Sequence, residues 1–476
     1  MNFTLRALNR FGLGARVGQR QRIDDPRGWL RAQLRGDDPL IPVPAEATPA
    51  GIAEAIRAFR MVGQASQQDK QQARRRLVEV AAAESRAALT ARAATERAFV
   101  ERLVAFWSNH LCVSTGAKIL VAPLAGSYER EVIRPHVLGR FEDMVLASAK
   151  HPAMLVYLDN FQSIGPRSRG ATLGGRGRAQ RGLNENYARE LLELHTLGVD
   201  GGYTQTDVQE LAKILTGWTV GGLTGPGPMR RPLPRTQRMR GTGGRGGAPP
   251  QIENNGPIGF TFQEILHEPG AKTVLGARYA EAGLEEGERV IRALCKHPST
   301  AKFIATKLVT HFVADEPPPA AIDRIARTFR DTDGDLRAVS SALIELPETW
   351  DERTRKFRTP QDWLVAVLRA FNATEVNESV MPLLRQLRHP LWSPQAPKGF
   401  GDKTQEWADP DSLLNRAELS RTVARRLRAR RIDPRSLLEV VDIPAGDPLN
   451  RFLADNSIPA DERIALALAG PAFQWR

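Results

Sequence analysis

The chain has 476 residues, of which 41% are hydrophobic and 25% charged, so it is long enough to form more than one apolar core. No window approaches the roughly 18 consecutive apolar residues that a membrane-spanning helix needs. Residues 1–30 also lack the apolar segment and small-residue cleavage site of a secretory signal peptide. We therefore expect a cytoplasmic protein, with export alongside a partner as the alternative.

The formal net charge of +13 is concentrated in two segments. Residues 165–181 hold five arginines and residues 222–250 hold six, and neither segment contains an acidic residue. Without these eleven charges the remainder of the chain carries only +2. Nucleic-acid binding through the two segments is therefore kept as a minor alternative, because phosphate recognition needs a basic surface on the folded part as well.

Helical periodicity dominates the chain. The stretch 66–110 contains no proline or glycine, and its apolar residues recur every three or four positions, which predicts a long amphipathic helix or a pair of helices. Thr204 and Asp207 are typical of an N-cap with an acid in the first turn, and Gly217 is typical of a helix end. Further helices are predicted near 124–134, 141–149, 152–158, 185–197, 205–216, 282–296, 299–313, 319–330, 335–345, 360–371, 411–430 and 459–469.

Two short segments have the β-branched and aromatic composition of strands. They are IGFTF at 258–262 and KTVLG at 272–276, with Pro269 and Gly270 between them, and we predict that they pair as one hairpin.

These signals together predict a mainly α fold with a multi-helix body in two packed subdomains, one small β-hairpin and two mobile Arg/Gly-rich loops. The predicted regions are an N-terminal helical region at 1–221 that includes the loop 165–182, a Gly/Pro/Arg-rich insertion at 222–256, and the hairpin with a C-terminal helical region at 257–476.

The segment NENYARELLELHTLG, residues 184–198, has an unusual polar face. At 100° per residue, one arc of this helix carries Glu185, Asn186, Arg189, Glu190 and Glu193. A solvated face is the usual fate of such an arc, but three carboxylates without a lysine also suit the lining of a cleft. Carboxylates at this spacing serve as metal ligands or as an acid–base pair. Both interpretations stay open.

The eight histidines include no pair at the i, i+4 spacing of a zinc-binding helix. His195 lies on the apolar side of its helix and is predicted to be a core residue. His110 in FWSNH and His267 in LHEPGAK lie at element ends beside polar groups, where a helix-end or turn role competes with catalysis.

Several common motifs are absent from the sequence. It has no GXSXG, no P-loop and no GXGXXG between strand and helix, which argues against the commonest hydrolases, nucleotide triphosphatases and dinucleotide-binding enzymes. DTDGDL at 331–336 fails as a calcium loop, because Leu336 and Ala342 occupy positions that need Gly and Glu, so Asp335 is predicted to cap a helix. Cys112 and Cys295 are predicted to be buried, and the sequence leaves open whether they are free.

The run NENYARELLELHTLGVDGGYTQTDVQELAKILTGW closely resembles the signature of the bacterial domain-of-unknown-function 1800 family. Further segments match in order and spacing, so the resemblance covers nearly the whole chain: RFGLGA with WLRAQL, FWSNHLCVS, FEDMVLASAKHPAMLVYLDN, GFTFQEILHEPGAKTVLG, HPSTAKFIATKLVTHFV and PKGFGDKTQEWADPDSLLNR. The resemblance implies no established activity. It does imply a sulfatase-like protein encoded nearby as a partner, since family members tend to be encoded beside exported proteins of that kind.

Two functional hypotheses follow. In the first, a polar cleft at the 185–193 arc belongs to a metal-dependent or acid–base enzyme, with a divalent cation as its cofactor. The catalytic candidates are Glu190, Glu193, His110 and His267; the substrate-binding candidates are Asn186, Arg189, Asn109 and Lys272; the metal-ligand candidates are Glu185, Glu190 and Asp159. In the second, the arc is a structural ion-pair network, and the chain is a non-catalytic partner or maturation factor for the sulfatase-like protein. Substrate, metal identity and oligomeric state stay open.

Overall fold

The computed structural model describes residues 2–63, 66–172, 182–223, 257–427, 433–443 and 446–476. Within these ranges the protein is mainly α, as predicted. Most of the two arginine-rich segments, at 173–181 and 224–256, lies outside the described residues. None of the helices in the described ranges is long and apolar enough to cross a bilayer.

The α-helices follow one another along the whole described chain. They are α1 Phe3–Arg6, α2 Pro26–Gln33, α3 Pro49–Met61, α4 Gln67–Ala94, α5 Ala98–His110, α6 Ala125–Tyr128, α7 Phe141–Lys150, α8 Pro152–Tyr157, α9 Arg169–Thr172, α10 Asn186–Glu190, α11 Gln205–Ile214, α12 Leu284–Lys296, α13 Pro298–Phe312, α14 Pro319–Asp331, α15 Leu336–Glu345, α16 Pro360–Ala370, α17 Met381–Gln386, α18 Pro410–Leu427, α19 Pro448–Ala454, α20 Ala460–Ala469 and α21 Pro471–Gln474.

Shorter helical turns extend or connect these helices. The π-helical turns continue α1, α6 and α10, at Ala7–Phe11, Glu129–Ile133 and Leu191–His195. The 3₁₀ turns are Arg20–Arg22, Ala45–Ala47, Ala122–Leu124, Arg134–His136, Asn160–Gln162, Glu264–Leu266, Pro347–Trp350, Glu378–Val380, Thr404–Glu406 and Pro434–Glu439.

Helix starts follow the predicted capping chemistry. The Thr204 side chain accepts a hydrogen bond from the Asp207 backbone at 3.2 Å, while the Asp207 carboxylate accepts one from the Thr204 backbone, which forms a capping box at the start of α11. Asp335 caps α15 by accepting from Ala338 N at 2.9 Å, as predicted. The predicted helical stretch 66–110 is the pair α4 and α5.

The strands form two small antiparallel sheets. β1 (Trp218–Gly221) pairs with β2 (Gly259–Phe262), and β3 (Lys272–Val274) pairs with β4 (Ala277–Tyr279). Both predicted strand segments are therefore strands, but the prediction that they pair with each other was wrong.

The reason lies in the two turns. Leu275 and Gly276 both have positive φ (51° and 76°), the geometry of a two-residue hairpin turn, so β3 folds back onto the chain that follows it. The nine residues between the predicted strands instead contain a 3₁₀ turn and the buried side chains of His267 and Glu268.

One hydrophobic core cluster draws on side chains from Leu5 to Phe473. The rings of Phe11, Phe99 and Phe312 pack together with centroids 5.4 to 5.9 Å apart, which joins the N-terminal segment, α5 and α13. Residues before position 222 and residues after position 256 belong to this same cluster. The division into two subdomains stays a prediction. Cys112 and Cys295 are buried and free.

Candidate active site

A cavity of about 330 Å³ opens between α5, α13, the start of α16 and the segment 389–406. We call it the α13 cavity, since Lys307 and His311 of α13 line one of its walls. Its lining includes the ionisable side chains of Cys112, Lys307, His311, Asp362, His389 and Asp402.

The sequence of α13 explains why two basic side chains share one wall of the cavity. Pro298 occupies the first turn, and the His297 side chain accepts from Ser299 N at 3.2 Å, so the helix begins there. Lys307 and His311 are four residues apart and therefore lie one above the other on the helix surface.

The imidazole of His311 pairs with the carboxylate of Asp402. The distance between His311 Nδ1 and Asp402 Oδ2 is 2.9 Å. Burial lowers the pKa of His311 to about 4 despite the opposing effect of Asp402, so the ring is neutral near pH 7. A neutral ring that donates from Nδ1 leaves Nε2 as an acceptor, and His311 Nε2 has no hydrogen-bond partner in the described part of the chain.

Two contacts hold Asp402 in place. Lys356 donates from Nζ to the Asp402 backbone oxygen at 2.6 Å. Asn109 donates to Phe400 O at 2.9 Å and accepts from Phe400 N at 2.8 Å, so the end of α5 is bound to the loop that carries Asp402. Burial would raise the pKa of Asp402, but His311 and Lys356 lower it below its ordinary value, and the carboxylate is ionised.

Lys307 lies in the same wall without a counter-charge. Its side chain is half-buried, and Nζ lies 5.6 Å from the centroid of the Phe303 ring. Among the residues that the structure describes, none offers this ammonium a hydrogen bond or an ion pair. Burial lowers the pKa of Lys307 to about 8, against the opposing effects of Cys112 and Asp402.

The Cys112 side chain is a thiol rather than a thiolate. Its Sγ donates to the Pro397 carbonyl at 3.1 Å, and burial raises its pKa to about 12. This thiol is consequently a poor nucleophile at neutral pH.

The floor of the cavity is a closed ion-pair cluster. Both carboxylate oxygens of Asp362 accept from Arg102 Nη1 at 3.1 Å, and Arg476 Nε lies 3.4 Å from Asp362 Oδ2. Burial would raise the pKa of Asp362, but the two guanidinium groups hold it well below its ordinary value. His389 stacks on Trp407 with centroids 4.6 Å apart, and burial lowers its pKa to about 3.

The structure separates the sequence-predicted site residues into three groups, and Asp159 belongs to none of the three. Asn109 and His110 line the α13 cavity. Asn109 holds the Phe400 backbone. His110 is 1% exposed, with Nε2 3.1 Å from His195 O, and burial lowers its pKa well below the ordinary value. His195 is also 1% exposed, as predicted.

The second group is the polar arc of Glu185, Asn186, Arg189, Glu190 and Glu193. Arg189 lies 3.5 Å from the Glu185 carboxylate and 3.6 Å from that of Glu193, and its side chain is 38% exposed. Burial and the neighbouring Glu193 raise the pKa of Glu190. The charge of Glu190 in turn contributes to raising the pKa of the Cys112 thiol, so its field extends to the wall of the α13 cavity.

Asp159 lies close to the start of α10 but is already paired. Its carboxylate forms an ion pair with Lys118 Nζ at 2.6 Å, and its backbone oxygen accepts from Asn184 at 3.3 Å. Within the described ranges no group of three or more His, Cys, Asp or Glu side chains is placed to hold a metal ion, so Glu185, Glu190 and Asp159 do not form such a group.

The third group is a buried cluster around His267, Lys272 and Glu286. His267 Nδ1 lies 2.9 Å from Thr216 O, and its Nε2 lies 3.3 Å from both Glu286 Oε2 and Lys272 Nζ. Lys272 also donates to Glu286 at 3.1 Å and to Glu268 O at 2.6 Å. Both ring nitrogens of this histidine are engaged inside the protein.

The match to a family model described as Protein of unknown function (DUF1800) spans residues 6–475. The chain belongs to this family. No curated protein and no solved structure matches this DUF1800 chain. The comparisons therefore confirm the family resemblance seen in the sequence and assign no activity to it.

Sequence reasoning did not select His311, Asp402 or Lys307. His311 and Lys307 lie within an apolar helical pattern, where a histidine and a lysine are ordinary surface or core residues. Asp402 is 91 positions away from His311 along the chain. The weak signal was the glycine-rich, charged segment PKGFGDK, whose composition is typical of a loop that can bring a carboxylate to a site.

Proposed function

We propose that the α13 cavity is the active site of an enzyme that acts on a small molecule by general acid–base chemistry. His311 is the acid–base residue and Asp402 orients it. The observation that carries this proposal is the carboxylate bound to His311 Nδ1, which leaves Nε2 without a partner. A base oriented by a carboxylate is a recurring arrangement in catalytic sites on unrelated folds.

The size and composition of the cavity support a small polar substrate. About 330 Å³ is at the lower end of the range for ligand pockets. His311 transfers protons and Lys307 supplies a positive charge or a free amine, while the Arg102–Asp362–Arg476 cluster gives the floor a fixed structure.

A panel of small ester, amide, phosphoester and carbonyl substrates tests the proposal. We expect His311→Gln to reduce the turnover of the accepted substrate by about 10²- to 10⁴-fold, the usual contribution of a general acid–base residue. Asp402→Asn should reduce it less, because the ring remains but loses its orientation. His136→Gln, a histidine outside the cavity, is the matched control, and an equal loss in this control would contradict a role for His311.

The polar arc supports a second candidate site through one observation. Glu190 has a raised pKa, caused by burial and by Glu193, and its charge influences the cavity thiol Cys112. Under the enzyme hypothesis from the sequence, Glu190 would then be a second acid acting near Cys112. A tenfold or greater loss of turnover in Glu190→Gln, with the fold intact, would support that role. The divalent cation, the sulfatase-like partner and nucleic-acid binding stay predictions from the sequence.

A further inference from the structure

We propose that Lys307 forms a Schiff base with a carbonyl-bearing small molecule bound in the α13 cavity. The inference deepens the proposed function, since it gives that cavity a nucleophile and a substrate class. Lys307 lines the cavity, lacks a counter-ion among the described residues and lies one helical turn from His311. An amine in this setting can use its lone pair for covalent chemistry.

The two fully buried lysines, Lys272 and Lys356, show what distinguishes Lys307. Lys272 is bound to the carboxylate of Glu286 and to a backbone carbonyl. Lys356 is bound to Asp315 and to the Asp402 backbone oxygen. Both ammonium groups are structural cross-links, so deprotonating either one would leave a carboxylate without its partner, the buried Glu286 or the partly buried Asp315. Lys307 has no such bond to lose.

Burial, rather than the neighbouring charges, favours the neutral form of Lys307. From α13 the helix presents no acid to it, and from α5 the neighbouring ring is the neutral His110. Cys112 follows α5, and Asp402 belongs to the 396–402 loop; both favour the ammonium form, but burial outweighs them and lowers the pKa of Lys307 to about 8. The positive charge of Lys307 in turn lowers the pKa values of His110 and His195, so its electrostatic effect extends to both of these buried rings.

The covalent step balances without an oxidant or reductant. The neutral Lys307 nitrogen attacks the carbonyl carbon, a C–N bond forms as the C=O π bond breaks, and one of the two nitrogen protons passes to the carbonyl oxygen to give a carbinolamine. His311 Nε2 accepts the remaining proton from nitrogen and returns it to the hydroxyl group as that group leaves. The products are an imine and one water molecule.

Reductive trapping on the whole chain tests the inference. The protein is incubated with butanal or pyruvate and sodium cyanoborohydride between pH 6 and 10, and the modified peptides are mapped by mass spectrometry. We expect Lys307 to react at least about tenfold faster than exposed lysines at pH 7.5, because a pKa near 8 gives about a hundredfold larger neutral fraction than the ordinary lysine pKa. The rate of labelling should reach half its maximum near pH 8.

Lys302→Met and Lys307→Met are the matched variants. Lys302 lies on the same helix and is exposed, so its loss should leave fast labelling unchanged, whereas Lys307→Met should abolish it. Labelling of the wild-type chain that is spread over exposed lysines, with no preference for Lys307, would overturn the inference, and this result does not depend on whether a variant folds.

The same experiment separates this inference from the proposed function. Fast labelling of Lys307 together with full turnover in His311→Gln would leave the Schiff base standing and remove the role of His311. Turnover that depends on His311 without labelling of Lys307 would support the acid–base role of His311 and rule out the Schiff base.

Discussion

His267 and His311 have the same kinds of side chain around them but differ in how their ring nitrogens are bonded. Each is a buried or nearly buried histidine beside a carboxylate and a lysine: Glu286 and Lys272 for His267, Asp402 and Lys356 for His311. At His267 both ring nitrogens have protein partners. At His311 only Nδ1 does, and Nε2 has none among the described residues.

The difference comes from where each lysine points. Lys272 Nζ reaches His267 Nε2 directly, so the ring nitrogen that could act on a ligand is occupied. Lys356 binds the Asp402 backbone oxygen instead, so it supports the carboxylate and leaves the ring free. The residue types in a cluster therefore do not identify a reactive site, and these two clusters differ in whether the Nε2 atom of the histidine has a protein partner.

The largest expected effect comes from removing the lysine of the closed cluster. Lys272→Met leaves Glu286 buried without its counter-charge and should lower the free energy of unfolding by roughly 3–5 kcal/mol. Lys307→Met removes a cation that has no ion pair and should change it by about 1 kcal/mol or less. Urea unfolding followed by circular dichroism measures both, and equal losses would show that Lys307 is also a structural cross-link.

The next effect is a pH dependence that belongs to His311. Because its folded pKa of about 4 lies below the ordinary value near 6.5, the unfolded chain binds a proton in this window that the folded chain does not. The contribution of this group to the free energy of unfolding is therefore complete above pH 6.5. It decreases as the pH drops towards 4, by up to about 1.4 kcal/mol per pH unit. His195 and His389, with pKa values lowered to about 3 by burial, add to the same slope.

His311→Gln isolates that contribution. Its unfolding free energy should depend less steeply on pH than that of the wild type between pH 6.5 and 4, and the difference should correspond to one proton. Urea midpoints at pH 7, 6 and 5 give the slopes. Identical slopes in the two proteins would mean that His311 is solvated and can be protonated in the folded state.

Exchanging each histidine for glutamine extends the comparison. His267→Gln disrupts a buried network on both sides of the ring and should cost about 1–3 kcal/mol, the penalty for buried polar groups left unpaired. His311→Gln breaks one bond, to Asp402, and should cost about 1 kcal/mol or less. Thermal melts of the two variants show which substitution destabilises the protein more. A larger loss in His311→Gln would contradict the description of His267 as bonded at both ring nitrogens and His311 as bonded at one.

Helix caps and helix positions could be predicted from the sequence better than the residues of the candidate active site. The Thr204 N-cap with Asp207 in the first turn and the Asp335 cap depend on residues within a few positions of each other, and the helical stretch 66–110 depends on a short-range periodicity. These predictions were confirmed. A small hairpin is present, as β3 and β4, but the predicted pairing of 258–262 with 272–276 was wrong because Leu275–Gly276 forms a tight turn that competes with the more distant pairing.

The candidate site is non-local, which is why sequence periodicity could not find it. The bond from His311 to Asp402 spans 91 residues, and the clamp from Asn109 to Phe400 spans 291. Asn109 and His110 were selected from the sequence and do lie at the cavity, because the end of a helix is where polar side chains meet other segments. What each contacts there depends on tertiary packing.

The smallest expected effect concerns the polar arc of α10, which the sequence made the leading candidate. Arg189 is 38% exposed, and its ion pairs with Glu185 and Glu193 are 3.5 and 3.6 Å long, so Arg189→Ala should destabilise the protein by about 0.5 kcal/mol or less. Arg134→Ala is the contrast: this side chain is 0% exposed and lies 2.7 Å from both Glu101 and Glu129, so it should cost roughly 3–5 kcal/mol.

Glu190→Gln completes the test of the arc. Because burial and Glu193 raise the pKa of Glu190, its charged form is disfavoured in the folded protein, and the neutral amide should leave stability unchanged or slightly increased. Thermal melts of Arg189→Ala, Glu190→Gln and Arg134→Ala at pH 7 measure the set. A loss of more than about 2 kcal/mol in Arg189→Ala would exceed what a half-exposed pair can supply. The arc would then be shielded from water in solution, and the polar cleft predicted from the sequence would again be a candidate functional site in addition to the α13 cavity.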